Sequence, residues 1–167
     1  SHRAASGSPM TFSTFLAVGL IAATVSLATQ SALEAFIAHQ SVWKTSWIIG
    51  SIFMGSVVVN WPAVFDFAAI TASVTALYPG TLVATFVLCG ICPRVNLLPA
   101  VLIGATLGLA ICFVEFHEVI PRFPWMSMEH NWLMAASQSV SGGTAAWLLK
   151  RIGGRRKPES FTHEPVM

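Results

Sequence analysis

Most of this chain is apolar in runs as long as a lipid bilayer is thick, and that leaves few folds open to it. Phe12–Leu33, Val64–Cys89, Leu97–Phe116 and Trp132–Leu149 each come near or exceed the ~20 residues that a helix needs to cross a hydrocarbon core. In lipid every backbone polar group must be satisfied within the protein, so runs of this kind become helices. Charged residues make up only 10% of the 167 residues and hydrophobic ones 54%, whereas a soluble domain carries about 25% charged residues. The expected fold is all-α, a transmembrane bundle of four helices plus a short re-entrant or interfacial helix.

That short helix is the stretch Trp47–Val59, which contains Gly50 and Gly55 and ends at Asn60-Trp61-Pro62. It falls below spanning length, and Trp43, Trp47 and Trp61 bracket it as interfacial anchors would. The chain then divides into a polar N-terminal segment (1–10), a transmembrane domain (11–150) and a basic cytoplasmic tail (151–167). Met10 is a candidate natural start, with the nine residues before it foreign to the protein. The first apolar run, Thr11 to Ile37, is too long for the core of a signal peptide and has no clean cleavage site, so it reads as retained.

Basic residues set the topology. Lys150, Arg151, Arg155, Arg156 and Lys157 hold the C-terminus inside. Four spans put Arg3 and Arg94 inside with them, against Lys44 and Arg122 outside. Five spans exchange Lys44 and Arg3 and give the same split, so charge leaves the count between four and five spans open. The C-terminus is cytoplasmic in both. A formal net charge of +2 offers no footing for nucleic acid.

Two stripes of small residues stand out. Ala68, Ala72, Ala76, Gly80 and Ala84 recur every four residues in the second span, and Ala100, Gly104, Gly108 and Cys112 in the third. Residues four apart share a helix face, and small faces let membrane helices approach closely. The simplest expectation is that these two helices pack on each other. The last span carries Ser137, Gln138, Ser139, Ser141, Gly142, Gly143 and Thr144, a polarity that suits a protein-facing helix better than a lipid-facing one. Pro79 removes a backbone donor within the second span and leaves the Thr75 carbonyl without its usual partner. Bent helices of this kind occur in transporters, but membrane helices tolerate proline generally.

Chemistry-bearing groups gather towards one membrane face: Glu34, His39, Glu115, His117, Glu118, Glu129 and His130. Carboxylates and imidazoles ligate zinc, iron and manganese, which makes Glu115, His117, Glu118 and His130 a candidate metal set. The competing reading is ordinary polar decoration of helix ends, since no repeated Glu-x-x-His pair of the di-metal bundles occurs. Met126-Ser-Met128-Glu-His130 has copper-type ligands, set against interfacial packing beside Trp125 and Trp132. Cys89-Gly-Ile-Cys92 has redox spacing, but it lacks a βαβ setting and a second pair, and membrane cysteines commonly serve as small fillers. Three cysteines give no disulfide framework. The histidines lie outside the span cores, which argues against transmembrane haem ligation. No nucleotide loop or catalytic triad appears. No acid or base reads as lying at mid-membrane, which argues against a proton-coupled transporter. The chain is therefore expected to be no enzyme and to need no cofactor.

The order Ile48-Ile49-Gly50-Ser51-Ile52-Phe53-Met54-Gly55, Phe65-Asp66, Phe123-Pro124-Trp125, Asn131-Trp132 and Gly142 resembles a poorly characterised family of small four-helix bacterial inner-membrane proteins. The resemblance implies four spans with a short helix after the first, and a multi-pass place in the bacterial inner membrane. It also implies histidines near Leu77 and Gln138, where this chain has none, and that departure favours a structural role. The first expectation is an accessory or structural subunit of a larger inner-membrane complex, of respiratory or photosynthetic type, packing through small-residue helix faces. Its partners are the lipid bilayer and other membrane subunits or further copies of itself. The alternatives are a small oligomeric transporter or channel and a membrane metal-binding protein using the outer Glu/His cluster.

Overall fold

A computed structural model describes residues 11–55, 65–128 and 132–153. These residues form five helices, α1 (Phe12–Phe36), α2 (Lys44–Met54), α3 (Phe67–Ile91), α4 (Leu97–Glu118) and α5 (Trp132–Gly153), with 3-10 turns at Cys92–Arg94 and Pro124–Met128. No strand occurs among the described residues. α1, α3 and α4 are each long and apolar enough to cross a membrane, which marks the chain as a membrane protein. The outward faces of α3 and α4 carry Val83, Phe86, Leu102, Leu109 and Phe113. A contiguous apolar exterior of this kind suits lipid and not water.

The helix ends follow local chemistry. α3 begins at Phe67 and not at Val64, because the Asp66 carboxylate accepts the backbone N–H groups of Ala68 at 2.7 Å and Ala69 at 3.3 Å. That satisfies donors which would otherwise be orphaned in the first turn. Residue 64 itself lies outside the described residues. At the other end of α3, Arg94 donates to the Gly90 carbonyl, a cation on a helix C-terminus. α1 continues one turn past Leu33 to Phe36. The chain then reverses through His39 at φ 52, a left-handed position that histidine tolerates better than most residues, while the Gln40 N–H donates to the Glu34 carbonyl. α2 is 11 residues long, about 16 Å at 1.5 Å per residue. It ends where Gly55 takes φ +83, a conformation that favours glycine.

α5 is the centre of the bundle, and its burial explains its composition. Leu133, Ser137, Ser141, Ala145, Ala146 and Leu149 are all buried. The Ser141 hydroxyl donates to the Ala22 carbonyl of α1 at 2.8 Å, and the Ser137 hydroxyl donates to Gln30 Oε1 at 3.3 Å. A helix whose polar groups find partners in its neighbours needs no long apolar sequence. This is why α5, long as it is, falls outside the set of strongly apolar helices.

Around α5 stand α1 on one side and α4 on the other, while α3 packs on α1 and α2 packs on α3. Gly19 of α1 lies against Leu82 and Thr85 of α3, and Thr24 bonds the Tyr78 hydroxyl at 2.8 Å. Gly50 brings α2 so close to α3 that a Cβ there would stand 2.6 Å from the Ala69 carbonyl oxygen. The 3-10 turn after α4 closes over α2 through Trp125, whose indole N–H donates to Ser51 Oγ at 2.7 Å. Trp125→Phe is expected to lower stability by about 1 kcal/mol, the worth of one such bond. Thermal unfolding in mild detergent checks this, and Ser51→Ala should cost less in the Trp125→Phe background than in the parent.

The small stripes do not pair as expected. The α4 stripe lies on α5 and not on α3. A Cβ at Gly104 would meet the backbone of Gly142, and one at Gly108 the backbone of Gln138 and Ser139. On α3 it is Ala69, Ser73, Thr85 and Leu88 that are buried, one position along from parts of the predicted stripe, while Ala68 and Gly80 are exposed. Nothing lies within 4 Å of a Cβ built on Gly80. The physical reason is that α5 offers α4 two glycines and a row of serines. That smoother surface allows closer approach than the mixed Tyr78, Leu82 and Thr85 surface of α3, which α1 covers.

Candidate functional site

Because α4 leans on α5 and α3 leans on α1, α3 and α4 stand apart along much of their length, and α5 floors the gap between them. Ala76, Gly80 and Ala84 of α3 face Leu107, Gly108 and Ile111 of α4 across this cleft, with Ser141 and Gly142 beneath. Towards the α2 end it continues as a cavity of about 130 Å³ roofed by Ile49, Ile52, Val119, Ile120 and Met126. Ala76, Leu77, Glu115 and Gln138 line both spaces. Leu77 and Gln138, the two positions singled out in the sequence, therefore meet here.

Glu115 is the chemical centre of this region. Its Oε2 is sealed from solvent and meets no hydrogen-bond partner in the structure. Burying a carboxylate oxygen without a partner is costly. In a membrane bundle, an inward-facing acid is a functional-site hypothesis by default. Gln138, 6% exposed, and Gln30, which accepts from Ser137, bring amide groups to the same cavity.

Sequence reasoning grouped Glu115 with His117, Glu118 and His130 as metal ligands, and the fold directs the three described members of that set differently. His117 lies on the outside, its Nδ1 3.0 Å from the Phe113 carbonyl and its ring against those of Phe113 and Phe116. Glu118 is exposed and pairs with Arg122 at 3.5 Å. His130 lies outside the described residues, as do Glu129 and the tail bases Arg155, Arg156 and Lys157. Among the described residues no three His, Cys, Asp or Glu side chains converge as metal ligands. The inward aim of Glu115 had a signal in the sequence: it follows Cys112 by three residues and so continues the face of Ala100, Gly104 and Gly108.

The other candidates find structural places. Cys92 is buried in the apolar cluster of Val18, Ala22, Leu88, Ala100 and Leu149, and Cys89 packs against it. None of the three cysteines forms a disulfide. Met126 roofs the cavity. Glu34, read as one of the outer polar group, is buried and forms an ion pair with Lys44 at 3.1 Å. Of the packing residues, Ala76, Gly80 and Ala84 line the cleft, Ala100, Gly104 and Gly108 are buried on α4, Ala68 is exposed and Ala72 half-buried. No family model matches the chain, and neither a curated protein nor a solved structure matches it.

Proposed function

We propose that this chain is a small multi-pass protein of the bacterial inner membrane, its C-terminus cytoplasmic, that binds a small solute between α3, α4 and α5 and acts as a transporter or channel. The observation that carries the reading is the Glu115 side chain, which lines a cavity within the bundle while its Oε2 finds no partner in the protein. Helix packing alone gives no reason to keep a carboxylate there, whereas a solute with hydrogen-bond donors offsets its burial. The basic residues Lys150, Arg151, Arg155, Arg156 and Lys157 support the orientation. α2, too short to span, serves in this reading as an interfacial lid over the cavity.

Flux into proteoliposomes tests it, with methylammonium, sodium and glycerol as probes. At least one of these should enter faster than into protein-free liposomes. Glu115→Gln should slow that entry by about tenfold or more, the size of effect seen when one partner of a buried charged contact is removed. Rates equal to those of protein-free liposomes for all three probes would sink the reading.

A second reading keeps the chain as an accessory subunit. It is favoured by Ala68, a small residue exposed on the first turn of α3. Gentle detergent extraction from native membranes should then recover it in fixed ratio with another membrane protein, and recovery alone would count against it.

A further inference from the structure

We propose that the cavity beneath α2 takes a compact primary ammonium ion, its N–H groups on the Glu115 carboxylate and the Gln138 amide oxygen and its hydrocarbon body against Ile49, Ile52 and Met134. This rests on the solute-binding reading above and names the chemical class of the solute. Three observations select that class.

The first is charge. Among the described residues Glu115 is the ionisable side chain that lines the cavity, and no Lys or Arg does. An anion there would meet a carboxylate with nothing to offset the repulsion, whereas a cation restores neutrality in a setting where an isolated charge is expensive. The second is the lining. Ile49, Ile52, Val119, Ile120, Met126 and Met134 surround one carboxylate and two amides. A bare metal ion demands more oxygen ligands than that, six or more for calcium and an octahedral shell for magnesium. A ligand with one polar end and a hydrocarbon body uses both kinds of wall. The third is size. The cavity measures about 130 Å³, close to the ~150 Å³ apolar cavity that holds a benzene molecule. A body of roughly four to six carbons fills a space of that size.

The geometry also assigns separate roles to the lining. Glu115 supplies the charge that recognises the ammonium group. Ala76, which lines both spaces, leaves room for the body because it carries only a methyl group. A larger side chain at 76 would close the site without touching the carboxylate, which separates loss of charge recognition from loss of space.

Calorimetry on the full chain in lipid nanodiscs tests the proposal, with n-butylammonium and n-butanol as probes and empty nanodiscs subtracted. The amine should bind more tightly than the alcohol. Glu115→Gln should weaken the amine by about tenfold or more and leave the alcohol within about twofold. Ala76→Leu should abolish binding of both. Equal affinities for the two probes, or an amine affinity indifferent to Glu115→Gln, would overturn the ammonium assignment and leave a solute site in place. Absence of binding by either probe to the parent protein would overturn the assignment together with the use of this cavity.

Discussion

Gly142→Ala is expected to be among the most damaging single-methyl changes this protein can suffer, costing at least about 3 kcal/mol, at or beyond the upper end of ordinary overpacking. By helix propensity alone the change should help, since alanine is favoured over glycine inside a helix by about 1 kcal/mol. The tertiary contact reverses the sign. A Cβ at Gly142 would be driven into the carbonyl oxygen of Gly104, with the Gly104 carbonyl carbon at 2.8 Å and the Gly108 nitrogen at 3.3 Å. All of these are backbone atoms, so no rotamer change relieves the overlap and α4 must move off α5. Denaturant or thermal unfolding in mild detergent measures the loss. Gly80→Ala, where nothing lies within 4 Å, is the matched control and should fall within about 0.5 kcal/mol of the parent. Equal stability of Gly142→Ala and the parent would refute the close α4–α5 approach. Because that approach holds α4 away from α3, Gly142→Ala should also alter flux through the cleft.

Lys44→Met is the second change expected to have a large effect. Lys44 Nζ stands 3.1 Å from Glu34 Oε2, with the two side chains 10% and 1% exposed. Removing the ammonium group leaves the Glu34 carboxylate buried opposite a thioether, a situation that costs about 3–5 kcal/mol. Replacing both residues with apolar ones, Glu34→Leu with Lys44→Met, should recover most of that loss, because a well-packed apolar pair is often as stable as a buried ion pair. Unfolding of the single and double variants in detergent gives the coupling directly, and additivity of the two changes would mean that the pair does not interact. The pair ties the start of α2 to the end of α1, so its loss should loosen the roof of the cavity. Binding measured there should weaken alongside stability.

Much of the fold was legible along the chain. Apolar runs located α1, α3 and α4 to within a few residues, because helical spans in lipid demand length and little else. The serine- and glycine-rich run from Ser137 to Thr144 pointed to a helix that faces protein along much of its surface, and α5 buries Ser137, Gln138 and Ser141 while Val140 and Trp147 stay exposed. Asp66 at the mouth of an apolar run is a cap readable from residue type alone. Partner choice was less legible. A stripe such as Gly104 and Gly108 says that one face is smooth, and α3 and α5 both offered small residues to meet it. The choice of α5 is a sum over many contacts and the constraints of the connecting turns, which no single helix contains.

The same division applies to the site. Composition and run length by themselves determined that this is a helical membrane protein with a basic C-terminal end, because the cost of exposing backbone or charge to lipid acts on each segment separately. The inward turn of Glu115 was foreshadowed by the small-residue face that Cys112 continues, but the tertiary structure alone decided that α3 and α4 stand apart and that Leu77 and Gln138 meet at one cavity. Those outcomes depend on how each helix is rotated about its axis. That rotation is set by glycine contacts between helices, and the bilayer, which constrains length and polarity, leaves it free.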